Sequence, residues 1–200
     1  MKRLVTVVMV MLAIAPVLIS GNKIKNTPIP APAESGEQIH WLSIDELQEK
    51  MKMEPRKVYV DVYTGWCGWC KKMEASTFQN KSLIKYMNNN FYAVRLDAET
   101  KDTINFMGKK YFFNPANRAN TFAVELLKGQ MSYPTSVLML ENFQSPTPIP
   151  GYHAVGEMES FLRYFGDNLY KHQTWTDFQK TYKSAWDNGE KPDMTPPAGH

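Results

Sequence analysis

Apolar residues change their spacing repeatedly along this chain, and each change marks the edge of an element. Leu4 to Ile19 carries no charge at all, whereas residues 22 to 38 hold few large apolar groups and set Pro28, Pro30 and Pro32 among Ser, Gly and Ala. The second stretch predicts an extended spacer, so folded structure is expected from about Ile39. Ser43-Ile44-Asp45-Glu46 has the form of a capping box, and Ile44, Leu47 and Met51 behind it share one helical face to about Met53, where Pro55 stops the helix. Residues 57 to 63, KVYVDVY, are rich in β-formers and predict a strand. Helical segments follow through about Phe78 and again over Lys81 to Asn90, then a second buried strand over Phe91 to Asp97.

Beyond residue 100 the pattern is denser in aromatic residues. Thr103 to Phe106 and Lys110 to Phe113 flank Met107-Gly108-Lys109, predicting a β-hairpin with Gly108 in its turn. Its aromatic side chains are expected chiefly to cover the small core of the hairpin itself. A short helix over Thr121 to Lys128 is closed by Gly129. Residues 136 to 140 and 147 to 153 read as strands, and Glu157 to Tyr170 as a helix. Trp175, Phe178, Tyr182 and Trp186 recur three or four apart, which predicts one aromatic helical face packed on the body of the domain. Residues 191 to 200 are polar and Pro-rich, as in a loose tail.

The N-terminus sets the expected compartment. Lys2 and Arg3 precede the apolar run, and Ser20-Gly21 supply small residues where a signal peptidase cuts, so residues 1 to 21 are expected to be a secretory signal. Retained, the same segment would be a membrane anchor, although it is short for a span and carries Pro16. The location expected is periplasmic or otherwise exported. Setting aside Lys2 and Arg3 from the 23 basic side chains leaves 21 against 20 acidic ones. So balanced a chain, with no Lys/Arg cluster, gives no nucleic-acid footprint. The expected organisation is a leader over 1 to 21, a linker over 22 to 38, one domain over 39 to 172, and a C-terminal helix and tail over 173 to 200.

The only two cysteines lie in Cys67-Gly68-Trp69-Cys70, where the first strand gives way to a helix. Thiols two residues apart at a helix start can close a small ring, and the unpaired N–H groups and positive dipole end stabilise the thiolate of the first. Cys67 is therefore expected to attack and Cys70 to resolve. A zinc site would need four ligands, and His40, His153, His172 and His200 show no ligand spacing. Lys71 stands where c-type haem attachment requires histidine. A purely structural disulfide in so tight a loop would add little stability.

Residues 60 to 71, VDVYTGWCGWCK, resemble the active-site segment of the thioredoxin superfamily, with Trp66 before the first cysteine and Asp61 six positions upstream of it. Tyr133-Pro134-Thr135, followed by the strand at 136 to 140, resembles the cis-proline segment of that family, and the order of elements matches it from about residue 39 to 170. The resemblance implies an α/β thioredoxin fold: a central mixed β-sheet flanked by helices, here with a β-hairpin insertion and an extra C-terminal helix. It implies that Asp61, buried beneath the second cysteine, moves a proton to or from Cys70. It also implies that Tyr133-Pro134 is cis, leaving backbone groups beside the disulfide free to pair with a substrate peptide.

Two departures from the commonest pattern bear on specificity. Trp69 replaces the usual proline between the cysteines, where the dipeptide tunes the reduction potential. Tyr133 is bulkier than the usual residue before the cis-proline, and Trp66 and Trp69 together offer an apolar docking surface. The expected function is thiol–disulfide exchange on protein substrates, with a redox partner protein and with no metal, nucleotide or organic cofactor required. The competing class is a peptide-binding or chaperone-like module with a structural disulfide. Peroxide reduction by the same pair has no pocket in the sequence to support it.

Overall fold

The computed structural model describes residues 38–187 and residue 197 of the 200. The expected leader and nearly all of the expected linker and tail lie outside the described residues. The chain runs through β1 (Trp41–Leu42), α1 (Ile44–Met53), β2 (Lys57–Tyr63), α2 (Gly68–Ala75), α3 (Lys81–Asn90) and β3 (Phe91–Asp97). It continues through β4 (Ile104–Phe106), β5 (Lys109–Tyr111), β6 (Phe113–Asn114), β7 (Ala119–Asn120) and α4 (Thr121–Leu126). Last come β8 (Thr135–Leu140), β9 (Gln144–Pro150), α5 (Val155–Gly166) and α6 (Trp175–Thr181).

A five-stranded mixed sheet in the order β1-β3-β2-β8-β9 forms the centre. β3 runs parallel to β1 and β2, while β8 is antiparallel to both β2 and β9. Alternation along β2 sorts the two layers. Val58, Val60 and Val62 pack with Leu47 and Met51 of α1 and with Phe122 and Leu126 of α4. Tyr59 points the other way, into a cluster with Met73 of α2, Leu83 and Met87 of α3, and Met158 and Leu162 of α5. Asp61 shares that second face, two residues nearer the cysteines.

The local signals act as expected at several places. Ser43 accepts from the Glu46 N–H at 3.2 Å while the Glu46 carboxylate accepts from the Ser43 N–H at 2.8 Å, closing the capping box. β4 and β5 form the predicted hairpin, with Met107 and Gly108 both in the left-handed region at φ 48° and 78°. That pair of positive φ values makes the tight turn whose twist suits a hairpin. Contrary to expectation, the aromatic residues of the hairpin do not chiefly cover a core of their own: the Phe106 ring centre lies 4.9 Å from that of Phe122 and 4.8 Å from that of Phe143, so the insertion packs onto the main core. A second small ladder, β6 with β7, follows it.

Other elements differ from expectation. The helix after the cysteines ends at Ala75, because Ser76 turns out of helical geometry and its hydroxyl donates to Lys72 O at 2.6 Å; Thr77–Gln79 is a separate 3-10 turn. The last strand lies at 144 to 150 rather than 147 to 153, and α5 begins at Val155 and stops at Gly166. The C-terminal helix ends at Thr181, so the four aromatic residues do not share one helical face. Trp175, Phe178 and Tyr182 stay together, but Trp186 leaves the helix and lies 5.2 Å from Tyr86. The cause is Glu159, buried on α5, which accepts from the Ser184 hydroxyl and from the N–H groups of Ala185 and Trp186 at 2.6, 2.9 and 2.9 Å.

Both edges of the sheet are blunt. β1 is two residues long, and β9 carries Pro146, Pro148 and Pro150. Gly151 donates to Pro134 O at 2.8 Å, which fixes the phase of the β8–β9 ladder; Pro148 and Pro150, opposite Val137 and Thr135, therefore face away from β8. Proline is tolerated there because no ladder bond is lost. Among the described residues, no helix is long and apolar enough to cross a membrane.

Candidate active site

The site forms where β2 hands over to α2. A turn closed by the Cys67 N–H donating to Thr64 O at 3.2 Å brings the chain off the sheet, and Cys67 is the N-cap of α2. Cys67 and Cys70 are joined as a disulfide, and the Cys67 sulfur accepts the Cys70 N–H at 3.0 Å. Sulfur thus occupies the place where a helix start presents unpaired donors. Each cysteine is only 3% exposed, whereas Trp66 next to them is 60% exposed.

The aromatic residues singled out in the sequence divide into two groups. Trp66 meets Tyr133 edge-on with ring centres 5.9 Å apart, and its indole N–H donates to Glu99 at 3.1 Å. Burial, followed by the charges of Glu99 and Asp97, pushes the Tyr133 phenol up from its ordinary value. The Tyr133-Pro134 bond is cis, and Tyr133 stands just outside β8, which begins at Thr135. Trp69 lies 5.4 Å from Tyr152, with the Lys72 ammonium 5.2 Å above its ring. Glu99 and Tyr152 were not signalled by the sequence, since each reaches the site through tertiary packing, whereas Lys72 lies three residues after Trp69 on α2, a spacing that puts the two on one helical face.

Six residues before Cys67, on β2, Asp61 is 1% exposed and paired in register with Arg95 of β3 and Ser136 of β8. Arg95 Nε donates to one oxygen of Asp61 at 3.2 Å; the other oxygen has no partner among the described residues. Burial pushes the Asp61 carboxyl up to about 6, and Arg95 only partly opposes this. Arg95 is held from its other side by Glu74 of α2, which accepts two of its N–H groups at 2.7 and 3.2 Å. Glu74 follows Cys70 by four residues, one turn along the same face of α2. Arg95 and Glu74 were not foreseen, although Asp61 and Arg95 are each the fifth residue of a seven-residue strand and the two strands pair end to end. No three His, Cys, Asp or Glu side chains among the described residues gather into a group able to hold a metal ion.

A family model described as Thioredox_DsbH, protein of unknown function, DUF255, matches residues 32–163. The chain belongs to this family. The DsbH-type match covers the cysteine motif, Asp61 and the Tyr133-Pro134 bond. A thioredoxin-fold protein from Helicobacter pylori superposes with a TM-score of 0.50 at 18% identity, over 62% of this chain and 78% of that one. A DsbH oxidoreductase covers 72% of this chain and 92% of its own, with 18% identity and a TM-score of 0.44. Spermatogenesis-associated protein 20 of Mus musculus is 32% identical over 59 residues, which are 30% of this chain and 8% of that protein. The chain therefore spans only a small part of the length of the curated relatives it matches. The fold is the thioredoxin-like α/β fold, with helices on both faces of a mixed sheet and a Cys67–Cys70 pair at the head of α2.

Proposed function

We propose that this protein is a thiol–disulfide oxidoreductase that acts on protein thiols and disulfides outside the cytoplasm. The observation that carries the reading is the Cys67–Cys70 disulfide capping α2, with the half-paired Asp61 on the adjoining sheet face. In the reduced protein the N–H that Cys67 accepts from Cys70, together with the helix dipole, favours the Cys67 thiolate. That thiolate attacks one sulfur of a substrate disulfide; a mixed disulfide forms and one substrate thiolate leaves. Cys70 then gives its proton to Asp61 and attacks the Cys67 sulfur. The second substrate thiolate is released, the substrate has gained two electrons and the protein is left oxidised. Run backwards, the same steps insert a disulfide into a dithiol client.

Trp66, Trp69, Tyr133 and Pro134 are the proposed substrate contacts, the exposed Trp66 ring and the half-buried Trp69 and Tyr133 rings offering apolar surface and the cis-proline a backbone stretch for an extended peptide. The leader-like N-terminus supports an exported location, with a membrane only if that segment is retained, and a second redox protein as the electron donor or acceptor. Cys70→Ser should accumulate mixed disulfides with client proteins through Cys67, and Cys67→Ser/Cys70→Ser should accumulate none. Equal retention of clients by both variants would instead identify a peptide-binding module. Equilibration of the pair with a thiol–disulfide buffer then gives the direction: a potential near about −270 mV marks a reductant and one near about −120 mV an oxidant.

A further inference from the structure

We infer that Glu74 is a positioning residue: by gripping Arg95 from α2 it withholds part of that guanidinium from Asp61 and so keeps the Asp61 carboxyl able to take and release a proton. The inference rests on the proposed role of Asp61, but its geometry stands independently. Arg95 makes two hydrogen bonds to Glu74, at 2.7 and 3.2 Å, and one to Asp61, at 3.2 Å. A guanidinium presents a planar fork suited to two parallel bonds with one carboxylate, and here Glu74 has the fork while Asp61 has the leftover Nε. One Asp61 oxygen is buried with no partner among the described residues.

Side-chain exposure falls along the chain of contacts, from 50% at Glu74 to 23% at Arg95 and 2% at Asp61. A cleft of about 230 Å³, lined by Glu74 and Arg95 with Trp41 and Phe78, lies beside them and leaves the guanidinium room to turn. The guanidinium carbon lies 4.6 Å from the Tyr63 ring centre and 5.7 Å from the Trp41 ring centre, contacts that would guide such a turn. Among the described residues, the charged and titratable groups that act on Asp61 are Arg95 from β3, Glu74 from α2, and Tyr59 on its own strand. Ser136 from β8 is uncharged, and its hydroxyl is engaged with Tyr59 at 2.8 Å. Arg95 is thus the only cation in the group, and how it is shared between two carboxylates sets what Asp61 receives.

Glu74→Gln weakens the grip and frees Arg95 for Asp61, so Asp61 should titrate lower by about one pH unit; Arg95→Gln should move it upward by a similar amount. Carboxyl carbon NMR of the oxidised full-length protein reads both shifts without any substrate. In an Arg95→Gln background the Glu74→Gln shift should largely disappear, because Glu74 acts through Arg95. An unchanged or raised Asp61 midpoint in Glu74→Gln overturns the inference. A shift that persists at full size without Arg95 does so too, since it would show a direct charge effect. The pH profile of mixed-disulfide resolution should follow the NMR midpoints. If those midpoints move as stated while no variant, nor the wild type, exchanges disulfides, the positioning role stands and the oxidoreductase reading fails.

Discussion

Asp61 and Glu159 are each 1% exposed, yet the two carboxylates are treated in opposite ways. On α5, one Glu159 oxygen accepts three hydrogen bonds from residues 184 to 186, and Arg163 lies 3.5 Å from the other. On β2, Asp61 has a single bond to Arg95 and one oxygen with no partner among the described residues. A buried charge surrounded by donors fixes a segment in place; a buried charge left half-paired keeps its proton within reach. The difference separates a carboxylate that builds the molecule from one that is suited to chemistry.

The contrast can be broken most forcefully at Glu159. Replacing it by Ala strands the donors of Ser184, Ala185 and Trp186, and the expected loss of stability is about 4 kcal/mol in urea unfolding. A loss below about 1 kcal/mol would mean that the packing of Trp186 alone holds the segment and that the donors are dispensable.

At Asp61 the sign reverses. Its carboxyl titrates at about 6 in the folded protein against an ordinary value of 3.8, so the folded state holds the proton more tightly. The stability it contributes is complete below about 3.8 and is lost as pH rises through about 6. Asp61→Asn avoids that loss. It should be no more stable than the wild type near pH 3.5 and up to about 3 kcal/mol more stable at pH 8, while resolving mixed disulfides about a hundredfold more slowly. A stability gain independent of pH, or none, would show that the Asp61 charge is better solvated than its burial implies. The smallest effect belongs to Ser184→Ala, which removes one of the three donors to Glu159 and should cost about 1 kcal/mol. Thermal unfolding at several pH values would measure it.

The sequence carried much of this because several signals were local. A capping box, a Met-Gly turn between alternating residues and a CxxC at a strand-to-helix junction are each complete within a few residues. The resemblance added the cis bond at Pro134 and the importance of Asp61. Glu159 was invisible because an acidic residue beside Met158, Phe161 and Leu162 reads as the edge of an amphipathic stripe, and its partners lie some 25 residues away in a stretch read as helix. Arg95 was hidden for a similar reason, since its pairing with Asp61 depends on strand register. The equal lengths of β2 and β3 were the one clue to it.

The prolines of β9 and the brevity of β1 carry a different consequence, for how the protein behaves in a crowd of its own copies. An open sheet ordinarily invites a neighbouring chain to continue it, and runaway stacking of this kind is a route to fibrils. Here the outward positions of Pro148 and Pro150 carry no N–H to offer, and the opposite border is too short to template a partner. Sheet growth therefore stops at both margins, and replacing the two prolines by Val would reopen one of them to aggregation.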